Sequence, residues 1–262
     1  MNLDLTQRSA VVCGSSQGIG LAAAIEIARL GANIILLARN ESRLQEALEQ
    51  LPRNDAQQHS YLVANFTNPS GVQEAIEAWV GQGNVAEILI NNTGGPPGGL
   101  AIDANVNEFL TAYNAHLVCN HLLVQALLPG MKEKSYGRII NVISTSVKQP
   151  IPGLGVSNTT RGAVASWGKT LANELGPDGI TVNNVLPGFT DTARLESIFR
   201  DMAKKSGSSY EAVLEQMKES VPTKRLAEPA ETGAAIAFLA SPAASYINGI
   251  NLPVDGGRTG CL

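Results

Sequence analysis

The chain has 262 residues, 44% hydrophobic and 16% charged, with a formal net charge of −4. That length can bury a sizeable core within one α/β domain, and lysines and arginines scattered singly form no basic stripe for nucleic acid or an anionic membrane. Cys13, Cys119 and Cys261 lack CxxC spacing, which argues against zinc or a disulfide framework. The segment around Asp4 and Arg8 lacks the order of a signal peptide, and no apolar run reaches membrane-spanning length. The expectation is a soluble cytoplasmic protein with a small-molecule partner and no metal, nucleic-acid or membrane ligand.

Short Val/Ile-rich runs alternate with segments of helical period: SAVVCG then GLAAAIEIARLG, NIILLAR then ESRLQEALEQL, HSYLVAN then PSGVQEAIEAWV, and EILINN before a long apolar helix pattern. GRIINVIS, GITVNNVLP and INLPVDGG continue the rhythm, which is that of βαβ units around a parallel sheet. No linker divides the chain, so a single domain over residues 1–262 is expected.

The first turn, CGSSQGIG, places Gly14, Gly18 and Gly20 between a strand and a helix, with Ser16, Gln17 and Ile19 between them. Glycines let the backbone approach a pyrophosphate, and the free N–H groups of the helix start attract it. Tight strand-to-helix turns also use glycine for steric reasons alone, but the βαβ context favours a dinucleotide. At the tip of the second strand stand Ala38 and Arg39 in place of a carboxylate. A guanidinium suits a 2'-phosphate, favouring NADP with NAD as the alternative; Arg39 as a solvated surface side chain is the competing reading. Asn40 reads as a helix N-cap and Glu41 as a first-turn acid.

Two stretches break the rhythm. NNTGGPPGGL (91–100) is a Gly/Pro loop after a strand, where open α/β sheets place ligands. Residues 190–225 form a polar, partly helical insertion centred on KKSGSS, read either as a lid over a site or as a solvated excursion.

Taken together, CGSSQGIG, NNTG (91–94), GRIINVIS, LPGFTDT (186–192) and VDGG (254–257) resemble the short-chain dehydrogenase/reductase family, nearly end to end and on the side of the 3-oxoacyl-acyl-carrier-protein reductases. The resemblance implies a Rossmann-like, doubly wound parallel sheet of order 3-2-1-4-5-6-7. It also implies a nicotinamide above the C-terminal strand ends, and catalysis by an Asn, Ser, Tyr and Lys set. Cofactor contacts implied by it fall on the glycine turn, Arg39, Asn65 and Phe66 after strand three, Asn92 and Gly94, Arg161, and Pro187, Gly188, Thr190 and Thr192. Asn65 replaces the family's adenine-contacting Asp; Thr192 matches its carboxamide-contacting hydroxyl, with a helix N-cap as the structural alternative.

The same resemblance maps Asn114 onto the water-holding Asn and Ser144 onto the carbonyl-binding Ser. Thirteen and seventeen residues beyond Ser144, where Tyr and Lys are expected, stand Ser157 and Arg161. A phenol of pKa about 10 can be tuned towards neutrality by an adjacent cation, whereas an alkyl hydroxyl is far too weak an acid. Arg161 keeps a positive charge, but as a planar fork. His116, two positions from Asn114, should face elsewhere and pack, and Lys148 reads as a solvated lysine near the cleft.

The functional expectation is an NADP-dependent oxidoreductase of the carbonyl/alcohol couple with a non-standard active site. The alternative is a cofactor-binding sensor or scaffold without hydride transfer. The apolar helices AHLVCNHLLVQALL and AVASWGKTLANEL suggest a homotetramer, with a dimer as runner-up.

Overall fold

A computed structural model describes residues 1–261. Seven parallel strands form one sheet of order β3-β2-β1-β4-β5-β6-β7: β1 (Ser9–Cys13), β2 (Asn33–Ala38), β3 (Ser60–Val63), β4 (Ile88–Asn91), β5 (Gly137–Val142), β6 (Ile180–Pro187) and β7 (Asn251–Val254). The long helices are α1 (Gly18–Arg29), α2 (Glu41–Glu49), α3 (Pro69–Gly81), α4 (Val106–Tyr113), α5 (Cys119–Glu133), α6 (Gly155–Leu175), α7 (Ala193–Ser206), α8 (Tyr210–Glu219) and α9 (Pro229–Ala240).

Strand side chains alternate between faces, so the near-continuous apolar runs fill two cores. In β1, Ala10 and Val12 join the core under α1 and α9, while Val11 and Cys13 join the one under α3, α5 and α6. Burial raises the Cys13 thiol pKa, leaving a packed, unreactive sulfur. N-caps open two helices: the Asn40 side chain, read as a cap from the sequence, accepts from Arg43 N–H at α2, and Asn68 accepts from Gly71 N–H at α3.

The 190–225 insertion folds as α7 and α8, joined through Gly207 at φ 70°. The pair has its own small core of Phe199, Ala203 and Val213, separate from both sheet cores. No helix among the described residues is long and apolar enough to cross a membrane, and no group of three metal-ligating side chains occurs among them.

Candidate active site

The turn after β1 is held by sterics. Gly14 (φ +57°) and Gly18 (φ +60°) occupy left-handed backbone that side chains rarely adopt. A Cβ on Gly14 would also stand 2.7 Å from the Asn92 carbonyl oxygen. Asn92, just beyond β4, donates through Nδ2 to the Cys13 and Gly14 carbonyls, each at 3.2 Å. The loop after β4 is thereby stitched to the turn after β1. Buried Ser15 adds a second stitch, its Oγ accepting from Leu37 N–H at 3.0 Å. Ser16 and Ile19 are half-buried and Gln17 is exposed.

Arg39 is exposed at the tip of β2. Arg43, on the first turn of α2, donates to Gln17 Oε1 at 3.3 Å and brings a second cation to the glycine turn. Sequence reasoning missed Arg43; its spacing of four from Arg39 at a helix start was the available signal. Asn65 is exposed, and its amide oxygen accepts from Thr67 N–H at 3.1 Å. The Phe66 side chain is buried in the sheet core, and its carbonyl accepts from the buried Cys119 thiol at 3.4 Å. Gly94 lies in the exposed loop. Beyond β6, Pro187 is half-buried, Gly188 is pressed against Asp255 with no room for a Cβ, and Thr190 is buried. Thr192 is the N-cap of α7, accepting from Leu195 N–H at 3.3 Å, and its methyl group faces Gly18.

Ser144 follows β5, half-buried, its Oγ accepting from Ser146 N–H at 3.1 Å. Ser157 is half-buried on the first turn of α6. Its neighbour Asn158 grips the intervening loop, donating to the Ile151 carbonyl at 2.9 Å. Arg161, one turn on, is only 8% exposed and donates through Nη1 to the Val142 carbonyl at 2.8 Å. Burial, and then the nearby Arg194 charge, lower its pKa to about 10, so it stays cationic at neutrality. Lys148 is half-buried in the loop after Ser144.

Asn114 is not where the resemblance puts the water-holding residue: it is exposed and does not line the cavity beside Arg161. His116 does, at 3% exposure, with Asn91, Asn92, Thr93, Asn120 and Val142 around it. The reason is helical geometry. Between α4 and α5 the chain passes through a π turn at Asn114–Val118, and side chains two positions apart face opposite ways. His116 is packed, as its spacing from Asn114 suggested, but packed in the site. Burial above all, then Arg161, drives its pKa down to about 2, against a smaller opposing effect of the Gly94 backbone. Its imidazole is therefore neutral.

A further feature escaped sequence reasoning. Asn91 Nδ2 donates to Asn141 Oδ1 at 2.9 Å, Asn141 to Asn184 at 2.8 Å and Asn184 to Asn251 at 2.8 Å, a ladder across β4, β5, β6 and β7 at paired register. It runs beneath Gly168 of α6 and ends in the cavity, where Asn91 Oδ1, Asn120 Oδ1 and Arg161 Nε have no protein partner. The available signal was an Asn in each of these four runs, three of them on the face shared with Leu89, Ile139 and Val182. Above the cavity, Arg194 of α7 donates through Nη2 to the Pro96 carbonyl at 2.9 Å and the Gly95 carbonyl at 3.3 Å, tying the insertion to the Gly/Pro loop.

The family model described as enoyl-(acyl carrier protein) reductase matches residues 14–259. The chain is 34% identical, over 97% of its length and 98% of the relative's, to a 3-oxoacyl-[acyl-carrier-protein] reductase FabG of Vibrio cholerae. Its structure superposes with a TM-score of 0.93 at 32% identity, covering all of both chains, on L-sorbose reductase from Gluconobacter frateurii complexed with NADPH and L-sorbose. The NADPH-dependent reductase BacG of Bacillus subtilis is 28% identical over 97% of this chain and 98% of its own. The chain belongs to the short-chain dehydrogenase/reductase family.

Membership makes it an NAD(P)-dependent oxidoreductase of the carbonyl/alcohol couple. The glycine turn fits that cofactor: Arg43 reaches it through Gln17, and Asn92 fixes its shape. On the first two turns of the helix after β5 the chain presents the Ser157 hydroxyl and the buried Arg161 guanidinium.

Proposed function

We propose that this protein is an NADPH-dependent reductase that polarises a carbonyl with fixed hydroxyl and guanidinium groups and has no phenolic acid. When bound, the dinucleotide supplies the hydride. Gly14, Ser16, Gln17, Gly18, Ile19 and Gly20 present the backbone to its pyrophosphate, and Arg39 with Arg43 receive the 2'-phosphate. Asn65, the Phe66 backbone, Asn92 and Gly94 border the adenosine side. Pro187, Gly188, Thr190 and Thr192 border the nicotinamide side.

The observation that carries the reading is Arg161, buried, cationic and fixed to the Val142 carbonyl two residues before Ser144. A positive charge held in a low-dielectric site stabilises an alkoxide as it forms and needs no reorganisation to do so. Ser144 and Ser157 donate hydrogen bonds to the developing oxyanion. Because His116 is neutral and serine hydroxyls are weak acids, the proton comes from water through these hydroxyls. Asn158 holds the loop between the two serines. The helices α7 and α8 serve as the lid, latched by Arg194.

Titration with NADPH and NADH, read by energy transfer from Trp79 and Trp167, tests the cofactor assignment; no binding of either overturns it. A carbonyl screen following NADPH oxidation tests the reaction. The second reading, a cofactor-binding protein without hydride transfer, is favoured by the lack of any acid of suitable pKa at Ser157. Comparing the parent with the Ser157→Tyr/Arg161→Lys variant separates the two: carbonyl reduction gained only by the variant supports the second.

Assembly as a homotetramer is supported by Val106, Leu110 and Tyr113, exposed along one face of α4 at helical spacing, and by the free edge of β7 near exposed Tyr246. Sedimentation showing only a monomer overturns it.

A further inference from the structure

Positive charge gathers over the Gly/Pro loop after β4. Arg161 and Arg194 approach the same point from opposite elements: a Cβ built on Gly95 would stand 3.7 Å from Arg161 Nη2 and 3.9 Å from Arg194 Nη2. Neither guanidinium has a carboxylate within ion-pair distance among the described residues, whereas Arg8, Arg29, Arg200 and Arg225 all do. Arg161 keeps an unpartnered Nε although more than nine-tenths of the residue is buried. The two carbonyl bonds of Arg194 use its Nη2 and fix the guanidinium, leaving its Nη1 and Nε hydrogens without acceptors among the described residues.

Two guanidinium groups converging on a glycine with no counterion repel each other, and one of them is also desolvated. That arrangement becomes favourable when an oxyanion sits between them, because a planar carboxylate or a phosphate accepts charge-assisted bonds from both forks. The absence of a side chain on Gly95 leaves the room.

We propose that the space over Gly95 is an oxyanion seat formed by Arg161 and Arg194, and that the substrate is an oxo acid or hydroxy acid whose carboxylate occupies it. This rests on the oxidoreductase reading above. The same chemistry is carried by the phosphates of the dinucleotide, so the test separates the two sources.

Arg194 is exposed, so Arg194→Gln leaves the core untouched. With the NADPH complex of each protein, kcat/KM is measured for acetoacetate and for its methyl ester. Equilibrium binding of both to the NADP-loaded protein is followed by calorimetry. The expected result is that parent protein prefers the acid and that the acid-to-ester ratio falls about tenfold or more in Arg194→Gln, with the NADPH dissociation constant changing less than twofold. An equal preference for acid and ester in the parent overturns the seat and leaves the oxidoreductase reading standing. A loss of NADPH affinity matching the loss of acid affinity assigns the seat to a cofactor phosphate and overturns the substrate assignment. Arg194-dependent acid binding without NADPH oxidation by either compound retains the seat and overturns the reductase reading.

Discussion

The turn after β1 and the start of α6 both adjoin the loop after β4, yet the first is held by backbone sterics throughout and the second, beyond its first residue, by side-chain hydrogen bonds. At the glycine turn a left-handed φ and a carbonyl within van der Waals reach leave no residue but glycine. At the start of α6 sterics fix Gly155, where a Cβ would clash with the Ala101 backbone nitrogen, and beyond it Asn158 holds the Ile151 carbonyl and the Arg161 guanidinium holds the Val142 carbonyl.

The comparison is broken most severely at the turn. Gly14→Ala adds a Cβ against the Asn92 carbonyl at an unfavourable φ, so urea denaturation should show a loss of about 3 kcal/mol, and NADPH titration no binding. Asn141→Leu tests the floor beneath α6. It leaves the Asn91 amide without an acceptor and Asn184 Oδ1 without a donor. A stability loss of about 2–3 kcal/mol in the same assay is expected, with NADPH affinity retained.

His116 gives the pH dependence. Its folded pKa is depressed, to about 2, below an unfolded value near 6.5. The neutral form therefore stabilises the fold fully above pH 6.5, and this contribution is lost as pH falls through 6.5 and the unfolded chain takes up a proton that the folded one refuses. Between pH 6 and 4, stability should fall by up to about 1.4 kcal/mol per unit from this group. Burial of His59 lowers its pKa too and adds a smaller effect of the same sign. His116→Asn should flatten the dependence measured by urea denaturation across this range.

The smallest effect sharpens the cofactor side. Removing Arg39 and Arg43 together takes both cations from the tip of β2 and the start of α2. The ratio of NADPH to NADH affinity should drop about tenfold, with the remaining preference less sensitive to salt. An unchanged ratio would place the 2'-phosphate elsewhere.

Much of this protein was legible in order along the chain. The alternation of apolar runs and helical periods, with a glycine turn after the first run, defines a doubly wound sheet because strand and helix periodicities are local properties. The register from Ser144 to Ser157 and Arg161 was equally legible, being counted along one connection. Asn114 was assigned by the resemblance; it lies on the surface and His116 points inward, because side chains two positions apart on a helical turn face opposite ways.

The sequence by itself determined the alternation of strands and helices and a glycine turn suited to phosphate, since strand and helix periods are local, while the sheet order came from the resemblance to the family. Only the tertiary structure decided that His116 lines the site, that four asparagines from four strands form one ladder, and that Arg161 and Arg194 meet over Gly95. Those relations join residues far apart in the chain through strand register and helix packing, and no local period encodes them.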